Sequence, residues 1–303
     1  MEIKKYFFIS LTIIISLICT SFIYQPDFDL EKKYTAKELK EDLKCLKDTL
    51  EKFHPRLYEF TSKKSFDSLY HSICLQINSD MTEIEFRYLI FPLIAKVHCS
   101  HTYLATSREL GSHSDLYKQP PFKLYYQGQK AFILYDFTGN DSLKPGTEVL
   151  AINGVSASEI VNNMLQRFTG EGIHKDVQYW RMNELSTSLL FGMPDFYKTR
   201  EYKLSIIDEK GKKNEVVAEA ISNNNYRAMI MPKRTAKLEF KILDSLNTAL
   251  ITYPSFFYEN DSMKNNFIPN TFKTLKDKKI GNLIIDLRGN PGGPGENSAN
   301  FVK

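Results

Sequence analysis

The stretch 282–303, "NLIIDLRGNPGGPGENSANFVK", contains the pattern that most directly suggests chemistry. An apolar run, 283–287, leads into a glycine-rich turn, 289–295. Glycines let the backbone approach a substrate closely, and successive amides in such a turn present N–H donors to negative charge. Acyl transfer needs donors of this kind where charge develops on a carbonyl oxygen. The turn therefore indicates either an anion-stabilising site or only a tight strand-to-helix connection.

A phosphate-binding loop is the competing interpretation of the same glycines, because helix amino ends attract anions. The turn lacks a Gly-Lys-Ser/Thr ending, and its glycines do not follow the G-x-G-x-x-G spacing. Both absences argue against a phosphate site. Asp286 and Arg288 lie just before the turn, and we expect them to form an ion pair that holds the loop rather than to act in catalysis.

Histidines supply the second chemical feature. The stretch "KVHCSHTYL" brings His98, Cys99 and His101 close together in the chain. An imidazole titrates near neutral pH, so His101 is a candidate general base, with a structural histidine as the alternative. A zinc site is disfavoured, because these neighbouring side chains leave on different faces and have no distant partner. We expect neither a metal nor a cofactor.

The residues from 35 to about 107 must position this histidine, and their pattern is mostly helical. In "TAKELKEDLKCLKDTLEKF" the apolar residues recur three and four apart, Thr35 is a plausible cap, and Glu38 completes a capping box. This helix should end at His54 and Pro55. The same periodicity predicts helices over 64–76 and from Met81 toward Val97, followed by a strand that starts at Thr102 and Leu104.

The middle of the chain changes to short strands separated by turn residues. Two strands are predicted around Gly128, followed by a turn at Pro145 and Gly146 and a strand over 149–152. A tight turn at Asn153 and Gly154 then leads to a helix capped by Ser156 or Ser158. A helix over 177–190 and a hairpin about 209–213 complete this part of the chain. The order suggests a small β-rich module that presents a strand edge.

The last region begins near Leu238. It contains a strand in "TALITYPSF", a helix over 261–275 and a strand in "GNLIIDLRGNPGG". Strand, helix, strand is the unit of a parallel pair. The apolar run 283–287 predicts a second strand that is buried on both faces, with neighbours on both sides.

The amino end has the pattern of a secretory signal or a membrane anchor over 1–25. Lys4 and Lys5 precede an apolar run, 6–24. We therefore expect an exported protein of the cell envelope, periplasmic or anchored through 6–24. A lipid-anchored Cys19 is disfavoured, because Ile18 before it is bulky. The other cysteines, Cys45, Cys74 and Cys99, are odd in number and are predicted to be buried free thiols.

Composition excludes several classes. The chain has 303 residues, which predicts two domains or one large domain with an insertion. Hydrophobic residues make up 42% and charged residues 25%, as in ordinary globular proteins rather than disordered chains. The net charge of +4 is spread along the chain without a strong basic block, which argues against nucleic acid as a partner.

Several of these stretches resemble the motifs of a known protein family. "GNLIIDLRGNPGG" resembles the signature of the C-terminal processing, or tail-specific, serine protease family, which includes the tricorn core and the retinoid-binding-protein repeats. "FHPRLYEF", "KVHCSHTYL", "KPGTEVLAINGVSASEI" and "TALITYPSF" stand in the family's order. The resemblance covers roughly 35–303. It implies a mixed α+β and α/β fold with a helical amino-terminal domain (35–110), a PDZ-like module with a helical insertion (118–222) and the first part of a crotonase-like protease core (236–303).

The resemblance also implies a function. The protein would be a serine-type peptidase that hydrolyses peptide bonds of exported proteins or peptides, with His101 as the base and the amides of Gly292 and Gly293 in the oxyanion hole. Family members with a serine–lysine pair do not use the histidine, and this choice stays open. The family's serine lies well beyond the DLRGNPGG element, and Ser298 does not match its context. We therefore expect the nucleophile to be absent from these residues, and this chain alone to be inactive. The alternative is a non-catalytic envelope protein that binds peptides or apolar ligands.

Overall fold

The computed structural model describes residues 28–113, 118–184, 198–230, 237–257 and 266–302. The chain divides into two compact units between residues 230 and 231. The predicted leader, 1–25, and Cys19 lie outside the described residues. Within the described ranges, no helix combines the length and the apolar character needed to cross a bilayer.

The first unit begins with helices, as predicted. Thr35 caps the first long helix and forms the expected capping box with Glu38, and the helix ends at His54. Thr82 and Glu85 form a second capping box, which was not predicted. The elements of this part are β1 (Lys33–Tyr34), α1 (Ala36–Phe53), α2 (Lys63–Gln76), β2 (Met81–Thr82), α3 (Glu83–Ala95) and α4 (Arg108–Ser112).

Two details of the helical part differ from prediction. Met81 lies not in a helix but in β2, which pairs antiparallel with β1. The predicted strand at Thr102 and Leu104 is wrong, because residues 102–106 have no regular secondary structure. Arg87 from α3 donates to the carbonyl oxygens of Leu104 and Ala105, so a side chain satisfies backbone groups that a neighbouring strand would otherwise bond.

The rest of the first unit is built around a six-stranded antiparallel sheet. Its elements are β3 (Lys118–Gln119), β4 (Phe122–Gln127), β5 (Lys130–Asp136), β6 (Glu148–Ile152), β7 (Val155–Ser156), α5 (Ala157–Leu165), α6 (Asp176–Glu184), β8 (Glu201–Ile207), β9 (Lys213–Glu219), β10 (Ile221–Ser222) and α7 (Asn223–Ile230). The strand order of the sheet is β4-β5-β6-β8-β9, and β7 pairs with β6. The predicted strands around Gly128, the turn at Asn153 and Gly154 and the hairpin near Glu209 are confirmed.

Local sequence explains several of these elements. Asn153 and Gly154 have φ angles of 50° and 82°, so they form the hairpin turn that asparagine–glycine pairs favour. Ser156 caps α5, as predicted. The helix predicted over 177–190 is observed as α6, and residues 185–190 lie outside the described part of the chain. Along β4 the buried side chains alternate with more exposed ones, which points one strand face into the core.

The first unit has two buried apolar clusters, one among the helices and one between the sheet and its helices. The helical cluster includes Leu39, Leu43, Phe66, Ile73 and Leu93. The sheet cluster includes Phe122, Ile133, Val149, Met164 and Tyr202.

The three described cysteines, Cys45, Cys74 and Cys99, are free thiols, as predicted. Their predicted burial is wrong, because Cys45 is exposed and the other two are only partly buried. Cys45 belongs to the solvent side of α1, whereas Cys74 and Cys99 pack at the margin of the helical cluster.

The second unit contains the predicted strands and helix. The helix predicted over 261–275 is observed over 268–277, and residues 261–265 lie outside the described part of the chain. The elements of this unit are β11 (Glu239–Leu243), β12 (Thr248–Thr252), α8 (Ile268–Asp277), β13 (Asn282–Asp286) and α9 (Gly295–Val302). Strand β12 pairs antiparallel with β11 and parallel with β13. Ile251, Tyr253 and Phe301 form its buried cluster. The mixed α+β architecture predicted from the sequence is therefore confirmed.

The prediction that the strand at 283–287 is buried on both faces is wrong. Leu283, Ile284, Ile285 and Leu287 are 37%, 50%, 42% and 45% exposed. Among the described strands, β13 has a neighbour only on the side of β12 and forms an edge of the three-stranded sheet. An apolar run of residues favours a β-strand, but the strand is buried only where other elements cover its faces.

Candidate active-site elements

The glycine turn follows β13 and is tied to the end of β12. Asn290 makes the central contacts: its Nδ2 donates to the Tyr253 carbonyl oxygen at 2.8 Å, and its Oδ1 accepts from the Gly292 N–H at 2.7 Å. The Phe256 N–H donates to the Gly292 carbonyl oxygen at 2.9 Å. Side-chain and backbone bonds therefore fix the turn against the segment that follows β12.

Gly293 occupies a position that only glycine fits. A Cβ atom added there would lie 2.4 Å from the Phe256 carbonyl carbon and 2.6 Å from its oxygen. At Gly292, by contrast, a Cβ would meet open space, although φ is 92°. The sequence pattern alone does not distinguish these two glycines, since their roles differ through the approach of a segment far earlier in the chain.

The two amides of the predicted oxyanion hole differ in availability. The Gly292 N–H is already bonded to Asn290, whereas Gly293 is exposed and its N–H has no hydrogen-bond partner among the described residues. Gly293 therefore offers the free donor, and Gly292 offers one only if Asn290 releases it. The predicted role of these glycines stays a prediction.

Asp286 and Arg288 form the ion pair that the sequence predicted. Arg288 Nε lies 2.9 Å from Asp286 Oδ1, and Arg288 Nη2 lies 2.6 Å from Oδ2. Hydrogen bonds from the Arg288 side chain and backbone lower the pKa of Asp286 to about 2. The carboxylate is therefore engaged in holding the loop.

Ser298 lies in α9, where its hydroxyl donates to the Gly295 carbonyl oxygen at 2.9 Å. That bond satisfies the hydroxyl within the first turn of the helix. No catalytic role is assigned to it.

His101 lies on an irregular turn, 98–102, just after α3 in the first unit. The imidazole is exposed, and its Nδ1 lies 3.4 Å from Ser100 Oγ. His98, three residues earlier, has a φ of 54°, which is unusual for a residue with a side chain. Burial lowers the pKa of His98, the charge of Lys96 adds to this effect, and a hydrogen bond with the Gly172 backbone opposes it.

A cavity of about 640 Å³ opens beside this turn. His54, His98, His101, Glu171, Phe53, Phe60 and Tyr103 are among its lining residues. Phe53, Phe60 and Tyr103 are 68%, 44% and 72% exposed, respectively. The candidate base thus faces a cavity that carries apolar surface as well as charge.

Two residues that sequence reasoning missed contact this turn. Glu171 Oε2 accepts from the Ser100 N–H at 3.0 Å, and the Arg181 guanidinium donates to the Ser100 carbonyl oxygen. They lie 71 and 81 positions beyond Ser100 in the chain. No local sequence signal connects residues so far apart, so only the fold reveals the contact.

The described residues contain no group of three or more histidine, cysteine, aspartate or glutamate side chains arranged to hold a metal ion. His98, Cys99 and His101 therefore do not form such a group. His101 belongs to the first unit, and Gly292 and Gly293 belong to the second. Their joint action stays a prediction.

Known proteins resemble both the end of the chain and its fold. Residues 247–303 match the model of Peptidase family S41, which confirms the resemblance to the tail-specific serine proteases on the segment that carries "DLRGNPGG". No curated protein sequence matches this chain.

Two solved structures share the fold. A serine-to-alanine mutant of CPAF is 12% identical over 86% of this chain and 57% of its own, with a TM-score of 0.54. Mature CPAF complexed with lactacystin is 11% identical over 86% of this chain and 58% of its own, also at 0.54. At these identities the likeness concerns the fold. The chain spans less than two thirds of the length of either CPAF chain.

Proposed function

We propose that this chain carries part of a serine-type peptidase that hydrolyses peptide bonds in proteins or peptides. The observation that carries the proposal is the S41 match over 247–303, together with the turn in which Gly293 presents an unengaged amide among the described residues. The fold shared with CPAF supports it. The attacking serine is proposed to come from sequence other than residues 1–303, in keeping with the greater length of the CPAF chains.

In the proposed mechanism, His101 and the glycine turn each have a defined role. His101 accepts the serine proton while the serine oxygen bonds to the substrate carbonyl carbon. The Gly293 N–H donates to the oxygen that becomes negative, and Gly292 can add a second donor if its bond to Asn290 opens. His101 then gives the proton to the departing amine nitrogen as the peptide C–N bond breaks. Water attacks the acyl group by the same route and regenerates the serine.

The β-rich part of the first unit is proposed to bind peptide. Its antiparallel sheet ends in β4 and β9 among the described strands, and α5 follows the turn at Asn153 and Gly154. A PDZ-like module pairs an extended peptide with a strand edge and selects it through side-chain pockets. We also propose export to the cell envelope, which rests on the apolar run 6–24 behind Lys4 and Lys5.

Hydrolysis of a quenched fluorescent peptide by the protein made from its whole reading frame tests the function. His101→Ala should lower kcat/KM by about 10²–10⁴-fold, the usual contribution of a general base. His71→Ala is the matched control, because His71 lies on α2, where its Nδ1 bonds the Asp67 carbonyl oxygen. An active protein that is indifferent to His101→Ala would favour a serine–lysine mechanism.

Peptide binding and serine labelling, measured on the same protein, distinguish the second candidate function. The cavity beside His101 exposes Phe53, Phe60 and Tyr103, a lining that suits the binding of an apolar ligand or a peptide side chain. Saturable peptide binding without any cleavage by the whole protein would favour a non-catalytic binder. Labelling of a serine by a fluorophosphonate would instead favour the peptidase.

A further inference from the structure

We infer that Glu171 and Arg181 are positioning residues for the His101 imidazole, which they hold through the backbone of Ser100. The inference rests on the proposed function, because the orientation of His101 matters for catalysis only if His101 acts as the general base. His101 itself is exposed and lies outside regular secondary structure. The position of this residue therefore depends on the contacts of the turn that carries it.

The peptide groups before His101 are held from both sides. Glu171 Oε2 accepts from the Ser100 N–H at 3.0 Å, and Arg181 Nη2 donates to the Ser100 carbonyl oxygen. The Ser100 carbonyl belongs to the peptide group that joins Ser100 to His101. Fixing that planar group sets the positions of the His101 N and Cα atoms, from which the imidazole projects.

A third contact holds the start of the turn. The Gly172 N–H donates to the His98 carbonyl oxygen at 2.9 Å. His98 has a φ of 54°, an unfavourable conformation that persists only where the surroundings enforce it. The segment around Glu171 thus fixes both the strained residue and the residue next to the base.

The segment that provides these contacts is itself anchored. Arg181, on α6, also donates to Thr169 Oγ1, and Thr169 is only 3% exposed. Gln178, on the same helix, donates to the carbonyl oxygens of Leu165 and Phe168 at 2.8 Å each. Because these hydrogen bonds anchor Arg181 and its helix, the Arg181 guanidinium holds the turn at Ser100 in place.

The charge of Glu171 suits the same role. Hydrogen bonds from Ser100 lower the pKa of Glu171, and the charges of His101 and Arg181 add to the effect. Glu171 is therefore a carboxylate at neutral pH. A negative charge near the base stabilises the imidazolium that forms when His101 accepts a proton. Glu171 therefore both positions the turn that carries His101 and stabilises the charged form of its imidazole.

Two substitutions in the whole protein separate these contributions. Glu171→Ala removes both the acceptor and the charge, and we expect kcat to fall about tenfold or more with little change in KM. Hydrogen–deuterium exchange of a peptide that contains Ser100 should become faster. Glu171→Gln keeps an acceptor oxygen, so it should retain most of the Ser100 protection while losing part of kcat.

The control is Glu209→Gln, which removes a carboxylate from the exposed hairpin, where it pairs with Lys144 at 3.2 Å. It should leave both kcat and Ser100 exchange unchanged. Thermal unfolding of each variant establishes that it is folded. If Glu171→Ala is unstable, Glu171→Gln and Arg181→Lys supply the comparison, because both retain a hydrogen-bonding group at the site.

The outcomes distinguish this inference from the proposed function. Unchanged Ser100 exchange in Glu171→Ala overturns the inference whatever the activity. Faster exchange with wild-type kcat overturns it as well, because the turn would then be held without consequence for the base. A wild-type protein that cleaves no peptide refutes the proposed function and, with it, any positioning of a catalytic base.

Discussion

Asn290 Nδ2 donates to the Tyr253 carbonyl oxygen at 2.8 Å, which ties the glycine turn to the end of β12. The other end of the same amide accepts from the Gly292 N–H at 2.7 Å. A single half-buried side chain thus satisfies a donor and an acceptor of two separate backbone segments. Only an amide offers both groups in this geometry.

Replacing Asn290 by aspartate should destabilise the second unit. The new carboxylate would keep an acceptor for the Gly292 N–H but would place an oxygen against the Tyr253 carbonyl oxygen. We expect the free energy of unfolding to fall by about 1–3 kcal/mol, the usual effect of leaving a buried polar group without its partner. Chemical denaturation measures the change. Asn282→Asp, at the exposed start of β13, should have little effect and serves as the control.

Gly293→Ala should be much more damaging than Gly292→Ala. The new methyl at 293 would lie 2.4 Å from the Phe256 carbonyl carbon, so the backbone must move, and we expect a loss of about 3 kcal/mol. At 292 the methyl meets open space and only the φ of 92° opposes it, at a cost of about 1–2 kcal/mol. Unfolding of the two variants checks the order. Equal losses would contradict the close approach to Phe256.

His98 should make stability depend on pH. Its pKa in the folded protein is lowered below the ordinary 6.5, chiefly by burial. The unfolded chain therefore binds more protons, so the stabilising contribution is present above about pH 6.5 and is lost as the pH falls through the lowered value. His98→Gln should flatten the dependence of the unfolding midpoint between about pH 7 and about pH 5, where histidines titrate. His71→Gln should leave that dependence in place.

Arg288→Met should release the carboxyl group of Asp286. The pKa of Asp286 is about 2 because of Arg288, and without the guanidinium we expect it to rise toward the ordinary 3.8. The lowered pKa means that the pair stabilises the turn above about pH 3.8 and that this contribution disappears as the pH falls toward about 2. Carboxyl-carbon chemical shifts followed by NMR measure the change. An Asp286 pKa that stays near 2 in Arg288→Met would show that backbone amides, not the ion pair, set it.

Local sequence was sufficient for most of the elements. The spacing of apolar residues and the pair Thr35 and Glu38 predicted α1 and its cap, because both depend on neighbours within one helical turn. Asn153 and Gly154 predicted a hairpin turn for the same reason, since the required positive φ angles are a property of those residues. The ion pair of Asp286 with Arg288 joins near neighbours in the chain and was equally accessible.

Tertiary structure decided what lies far apart in the chain. The apolar run 283–287 predicted a strand. Ile284 and Ile285, which point to opposite faces of the sheet, are nevertheless both exposed, because the described residues cover neither face of β13 completely. The different availability of the Gly292 and Gly293 amides depends on how the turn folds back on itself and on the end of β12. The hydrogen bonds that hold the Ser100 backbone likewise come from Glu171 and Arg181, which lie 71 and 81 positions away in the chain. Propensity and periodicity act over a few residues, whereas burial and long-range hydrogen bonds exist only after the segments have packed together.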